Sequence, residues 1–165
     1  MAERADVRLP DGLIRGQTIT QMGYVVPDLA AAMARWTEVL GVGPFTVLPE
    51  IVIDQALYRG APTEVEIEVA TAEAGGVQVE LIEQKNLVPS CYRDLFEAGR
   101  GGLHHVAVHT PDYDAEVTRY EDMGFPVAFS GVYQGVRFAY MDTSPSLGIM
   151  VEVVETPTKA QASSA

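Results

Sequence analysis

Polar and apolar residues alternate through residues 19–26 and then change period, which divides the first part of the chain into a strand and a helix. Alternation with period two puts successive side chains on opposite faces of a strand. Pro27-Asp28 then marks a helix start, and Leu29, Ala32, Met33, Trp36 and Leu40 fall at the i, i+3, i+4, i+7 spacing of one apolar face. Gly41 supplies the stop. Beyond Gly43-Pro44 three strands are predicted: residues 45–48 with an extension toward Leu57, residues 64–70, and residues 77–83 across a Gly75-Gly76 turn. A strand, a helix and three strands make a βαβββ module. A connecting helix is predicted over residues 87–98, started near Pro89-Ser90, and the same order then returns. Its parts are a strand at 103–110, a helix carrying Tyr113, Val117, Tyr120 and Met123 and ending at Gly124, and strands at 127–130, 136–141 and 149–155. The expected organisation is an N-terminal arm (1–17), a first module (18–84), a connecting segment (85–101), a second module (102–155) and a tail (156–165).

The repeat is visible in the residues themselves. Thr20-Gln21-Met22-Gly23-Tyr24-Val25-Val26-Pro27-Asp28-Leu29 aligns with His104-His105-Val106-Ala107-Val108-His109-Thr110-Pro111-Asp112-Tyr113, with Gln21 and His105 separated by 84 residues. The closing strands Val77-Gln78-Val79-Glu80-Leu81-Ile82-Glu83 and Ile149-Met150-Val151-Glu152-Val153-Val154-Glu155 match in the same way. Gln21 is thus equivalent to His105, and Glu80 to Glu152. Strand parity opposes Glu80 to Val79 and Leu81, and Glu152 to Val151 and Val153. If the apolar sets pack under the helices, Gln21, Glu80, His105 and Glu152 share the other face, where a curved sheet would form a cleft. His104 falls on the packing side by the same rule, and His109 shares the parity of His105.

Charge and composition narrow the function. Twenty-three acidic against eleven basic residues give a formal charge of −12, which repels polyanions and argues against nucleic acid as a partner. The chain is 47% hydrophobic, with no apolar run near the roughly 20 residues of a membrane span. No membrane partner is expected. The opening Met-Ala-Glu-Arg-Ala-Asp lacks a signal-peptide pattern, so a cytoplasmic location is the expectation. The single cysteine, Cys91, excludes an intrachain disulfide and a thiolate zinc cluster, and reads as structural.

Four motifs in register, the two first strands and the two closing strands, resemble the vicinal oxygen chelate superfamily, which includes glyoxalase I, methylmalonyl-CoA epimerase, extradiol dioxygenases and bleomycin-binding proteins. The likeness covers residues 19–155 and is nearest in pattern to the epimerase and glyoxalase I branches. It implies an α+β fold of two tandem βαβββ modules, mostly antiparallel strands in a U-shaped cleft, assembled in relatives as dimers. It also implies a divalent ion held by Gln21, Glu80, His105 and Glu152. Such a set of oxygens with one imidazole suits Zn²⁺, Co²⁺, Ni²⁺, Mn²⁺ or Mg²⁺. Two departures restrict the branch. Gln21 stands where a ring-cleaving dioxygenase needs a histidine, and Val25 and Gln84 stand where glyoxalase I places its glutathione-binding Arg and Asn.

By that resemblance the ion would polarise a small-molecule substrate's carbonyl, and Glu152, with Glu80 as its pseudo-symmetric partner, would move a proton at the adjacent carbon. The product class is that of an isomerase, epimerase or lyase. Metal-assisted hydrolysis fits the same ligand set, and a non-catalytic binding protein for a small hydrophobic or cationic ligand is the alternative of another class. Each residue also has a structural reading: Glu80 and Glu152 as exposed strand polar groups, Gln21 as a sheet hydrogen-bonder, His105 as a core histidine. Glu66 and Glu68, with Tyr58, Tyr133, Arg137 and Met150, are the expected lining of the substrate pocket.

Overall fold

In the computed structural model the described residues are 12–14 and 16–156, so most of the expected arm and nearly all of the expected tail lie outside them. The first strand, β1 (Gln21–Val25), hands over to helix α1 (Leu29–Arg35) at Asp28, whose carboxylate accepts a hydrogen bond from Ala31 N at 2.8 Å. Glu83 accepts another from Leu29 N at 2.7 Å, so an acid from a later strand faces the positive end of the helix. Leu29, Ala32, Met33 and Trp36 pack on Tyr24, Val79 and Leu81, as their spacing predicts. Leu40 does not: Trp36–Leu40 continues as a π-helical turn, whose wider winding rotates Leu40 off the apolar face and leaves it 61% exposed. Gly41 ends the turn at φ 68°, a left-handed conformation that a glycine adopts at no steric cost.

Among the described residues nine further strands follow: β2 (Thr46–Val47), β3 (Asp54–Tyr58), β4 (Ala61–Pro62), β5 (Ile67–Ala74), β6 (Val77–Gln84), β7 (Gly102–Thr110), β8 (Val127–Tyr133), β9 (Val136–Met141) and β10 (Met150–Glu155). Between them lie α2 (Cys91–Leu95), α3 (Tyr113–Asp122) and a short α4 (Ser144–Leu147). The expected connecting helix is therefore shorter than residues 87–98, because Ser90 caps it late, accepting from Arg93 N while donating to Gln84 Oε1 at 2.6 Å. All ten strands form one sheet in the order β2-β5-β6-β1-β7-β10-β9-β8-β3-β4. In each half the first strand lies parallel to the last, β1 to β6 and β7 to β10, and the halves join through the antiparallel pair β1–β7.

One segment departs from the expected pattern. The extension of the strand at 45–48 does not stay in its own half: β3 pairs with β8, with Leu57 opposite Ser130 and Tyr58 opposite Phe129. Pro49 has no N–H to continue a ladder, and Ile51 and Ile53 leave the edge to pack against the aromatic cluster inside the curve of the sheet. The β3–β4 hairpin is tied down by Tyr58, which donates to Asp94 at 2.7 Å, and by Arg59, which reaches Asp94 at 2.8 Å and Asp142 at 3.0 Å.

Three apolar clusters result. One lies under α1, and one joins Tyr120 of α3 to Met141, Val151 and Val153. The third, with Val25, Ile82, Tyr92, Phe129, Phe138, Tyr140 and Met150, fills the inner curve. Among the described residues no helix is long and apolar enough to cross a membrane.

Candidate functional site

The inner face of the four central strands carries the polar residues that parity assigned to it. Gln21 comes from β1, Glu80 from β6, His105 from β7 and Glu152 from β10, while Val79, Leu81, Val151 and Val153 face the helices. Three of these side chains converge on one atom of the fourth. His105 Nε2 lies 3.3 Å from Gln21 Oε1, 3.5 Å from Glu80 Oε2 and 3.4 Å from Glu152 Oε2. The His105 side chain is fully buried, whereas Glu80 and Glu152 keep 16% and 11% of theirs accessible from the cleft.

Room for the imidazole comes from Gly23, its cross-strand partner in β1. A Cβ built on Gly23 would fall on the His105 ring, against Cε1, Nδ1 and Nε2. Behind His105 sits His104, which parity had placed on the packing face. The β1–β7 register slips there: Gly23 is opposite His105, but Tyr24 is opposite Leu103, so His104 is the extra residue of a β-bulge. The bulge turns both rings the same way, and their Nδ1 atoms stand 3.1 Å apart. His104 is fully buried and its Nε2 lies 3.1 Å from the Cys91 carbonyl oxygen.

These contacts determine the tautomers. A carbonyl only accepts, so His104 Nε2 must carry a proton; in neutral His104 the Nδ1 is then an acceptor. Burial, with the neighbouring His105 charge, pushes His104 down to about 3, so it stays neutral. His105 therefore donates from Nδ1, and its Nε2 presents a lone pair to three oxygens unless a positive charge is placed there. Burial opposes a charged His105, yet the hydrogen bond and charge of Glu152 and the charge of Glu80 outweigh it and raise the ring's pKa. Burial also raises Glu80, with the Glu152 charge adding to it and His105 opposing. The group as it stands satisfies itself by keeping protons.

A second chain of contacts orients Gln21. Its Nε2 donates to Gln78 Oε1 at 2.8 Å, and Gln78 Nε2 donates to Glu73 Oε1 at 3.3 Å. A carboxylate only accepts, so Glu73 forces the Gln78 amide one way round, and Gln78 in turn forces Gln21 to show its oxygen to His105. Gln78 lies directly opposite Gln21 in the parallel β1–β6 register, a relation invisible until the pairing is known.

The site opens into a cleft of about 510 Å³. Its lining includes Gln21, Glu80 and Glu152, the aromatic rings of Tyr92, Phe138 and Tyr140, and the aliphatic wall of Leu48, Ile51, Ile53, Ile67 and Val69. Of the expected pocket residues, Tyr133 lines this cleft. The others lie elsewhere. Glu66, just before β5, and Glu68, within it, are exposed while Ile67 and Val69 are turned inward, and Glu68 pairs with Lys85 at 3.2 Å. Tyr58 and Arg137 border a separate, more open depression, with Arg137 held by Glu155 at 2.9 Å and Asp114 at 2.8 Å. Met150 is fully buried in the inner apolar cluster, across the strand pair from His105. Cys91 is buried, which raises its thiol well above the usual range and leaves it inert, in keeping with a structural role.

In chemical type the donor set, one imidazole with three oxygens, suits a divalent cation. Among the described residues no group of three or more His, Cys, Asp and Glu is placed so that it could hold a metal ion. The convergence is on the imidazole nitrogen itself. Yet ligands at bond lengths of ~2.1 Å on the corners of a tetrahedron are separated by roughly 3.4 Å, close to the three nitrogen–oxygen spacings at His105. A cation would also provide the positive charge that the Nε2 lone pair requires.

Comparison with known proteins agrees with this architecture. The profile of the Glyoxalase/Bleomycin resistance protein/Dioxygenase superfamily matches residues 20–140, and the chain belongs to that superfamily. Methylmalonyl-CoA epimerase from Mycobacterium tuberculosis has a similar structure, with TM-score 0.59 at 20% identity over 92% of this chain and 94% of the epimerase. So has a hypothetical protein from Bacillus halodurans C-125, at TM-score 0.61 and 14% identity over 88% of this chain and 98% of that one. A methylmalonyl-CoA epimerase in complex with methylmalonyl-CoA and NH4+ aligns at TM-score 0.59 and 20% identity, over 86% of this chain and 96% of its own. At these identities the likeness is one of fold. A search of curated proteins finds no match.

Proposed function

We propose that the protein is a divalent-metal-dependent enzyme of the glyoxalase and epimerase type, an isomerase or lyase that moves a proton beside a substrate carbonyl. The observation that carries this reading is the convergence of Gln21, Glu80 and Glu152 oxygens on His105 Nε2 at the floor of an apolar cleft. These four side chains would hold the ion, which when bound supplies Lewis acidity at the substrate carbonyl and lowers the cost of negative charge next to it.

The chain's own groups do the rest. Glu152, partly accessible from the cleft, takes the proton from the adjacent carbon. Glu80 approaches the same point from the pseudo-symmetric strand and, having given up its proton to the solvent when it holds the ion, is placed as a second base that can take up and return the proton. Gln21 has no proton to exchange in this range and acts as a neutral oxygen donor, held in orientation by Gln78. His104 keeps the His105 lone pair directed inward. The aliphatic wall excludes water from the reacting carbon.

The test is solvent-deuterium exchange followed by proton NMR over a panel of α-hydroxyketones, 2-oxo acids and acyl thioesters. Metal-dependent exchange lost in Glu152→Gln supports the reading. Tight binding of an apolar ligand with no exchange on any of them favours the sequestration alternative, to which the apolar wall is equally suited.

A further inference from the structure

The charged side chains lining the cleft are Glu73, Glu80 and Glu152, with His109 at the polar end beside Thr20 and Thr71. Among the described residues no Lys or Arg lines it. The cations that could have done so are engaged elsewhere: Arg59 with Asp94 and Asp142, Lys85 with Glu83 and Glu68, Arg137 with Glu155 and Asp114. The remaining surface is hydrocarbon, from Leu48, Ile51, Ile53, Ile67 and Val69 on one side to Val136 and Phe138 on the other. A recognition site spends its few polar groups where the ligand is polar. Here those groups are neutral or acidic and gathered at one end, and the rest of the volume is apolar.

We infer that this cleft takes an uncharged, largely apolar small molecule whose oxygen functions lie at one end, against Gln21, Glu80 and Glu152, and that it rejects anionic acyl carriers. This rests on the reading of the site given above. With a divalent ion offsetting Glu80 and Glu152, a phosphorylated or carboxylated ligand would still meet Glu73 and hydrocarbon, with no guanidinium or ammonium among the described lining residues to stand in for its lost hydration, and anionic contacts of this kind weaken binding by roughly 100-fold. The fold neighbours that bind a coenzyme A thioester are therefore a guide to architecture and not to ligand.

The test uses the full chain loaded with Zn²⁺, titrated calorimetrically with benzoin, an uncharged aryl α-hydroxyketone, and with methylmalonyl-CoA. Benzoin is expected to bind at least 100-fold more tightly, with an affinity unchanged between low and high salt. Ile67→Lys, which puts a cation into a half-buried position on the aliphatic wall, is expected to narrow that ratio at least tenfold. Ile67→Ala provides a milder change of the same wall, expected to weaken benzoin alone. Equal or tighter binding of methylmalonyl-CoA by the unaltered chain overturns the inference, as does failure to bind benzoin at all. Benzoin bound tightly, with no deuterium exchange at its carbinol carbon or on any other member of the panel, would remove the proton-transfer reading and leave the ligand class standing. Exchange on methylmalonyl-CoA would do the reverse.

Discussion

Replacing Gly23 by alanine adds one methyl group at the most crowded point of the sheet. The new Cβ would occupy the space of the His105 ring, and neither neighbour can yield easily, since Gly23 is in the central β1–β7 pair and the ring is fully buried. Overpacking a core position of this kind costs ~1–3 kcal/mol. If the ring swings away, His104 Nδ1 also loses its 3.1 Å partner inside the protein, a buried unsatisfied group worth ~1–3 kcal/mol more. The expected loss is therefore roughly 2–6 kcal/mol of unfolding free energy, together with loss of divalent-ion binding. Gly76→Ala is the control, because a Cβ there meets nothing within 4 Å. Urea denaturation and zinc titration of both variants read the two effects separately. If Gly23→Ala unfolds and binds zinc like Gly76→Ala, the close packing of His105 on Gly23 is wrong, and the ligand geometry with it.

Three further outcomes follow from the contacts around the site. Gln78→Leu removes the acceptor that orients Gln21 and leaves that amide free to turn its nitrogen inward; zinc affinity should fall ~10–100-fold while the urea midpoint moves little, and an unchanged affinity would refute the relay. Zinc uptake should release protons and strengthen as pH rises, because Glu80 and His105 both hold raised pKa values in the metal-free protein. The same shifts make the metal-free protein more stable below the unfolded pKa values of these two groups, with that stability lost as pH rises through their folded values; a pH-independent zinc affinity, or proton uptake on binding, would contradict it. Arg59→Ala unties the β3–β4 hairpin from Asp94 and Asp142, and since Arg59 is 43% exposed the global cost should be only ~1 kcal/mol. Amide exchange in β3 should rise well before that in β7, and uniform protection would show the hairpin to be held by something else.

Much of the architecture was readable in the chain because two periodicities recur. The opposition of Glu80 to Val79 and Leu81, repeated by Glu152 against Val151 and Val153, follows from strand parity alone. What escaped has a physical reason in each case. Parity fails at a bulge, and the bulge at His104 is a property of the β1–β7 pairing that neither strand shows by itself. Helical spacing fails at Leu40 because the last turn winds as a π-helix. The crossing of β3 to β8 is a long-range choice, for which Pro49 and the apolar Ile51 and Ile53 were the available local signals. Gln78 and Glu73 carry no signal in the sequence, since an amide relay exists only once register sets Gln78 beside Gln21. Tyr58 and Arg137 lie away from the cleft because Asp94 and Glu155 hold them, and side-chain partners so distant in sequence leave no local pattern.

Metal content, measured by elemental analysis of protein purified without added metal or chelator, and repeated for His105→Ala, decides whether Gln21, Glu80, His105 and Glu152 hold an ion. About one divalent ion per chain, as for a site of this ligand count, with loss of the ion in the variant, is the expected result. A chain that remains empty after incubation with Zn²⁺, Co²⁺, Ni²⁺ and Mn²⁺, or a variant that retains its ion, would contradict it.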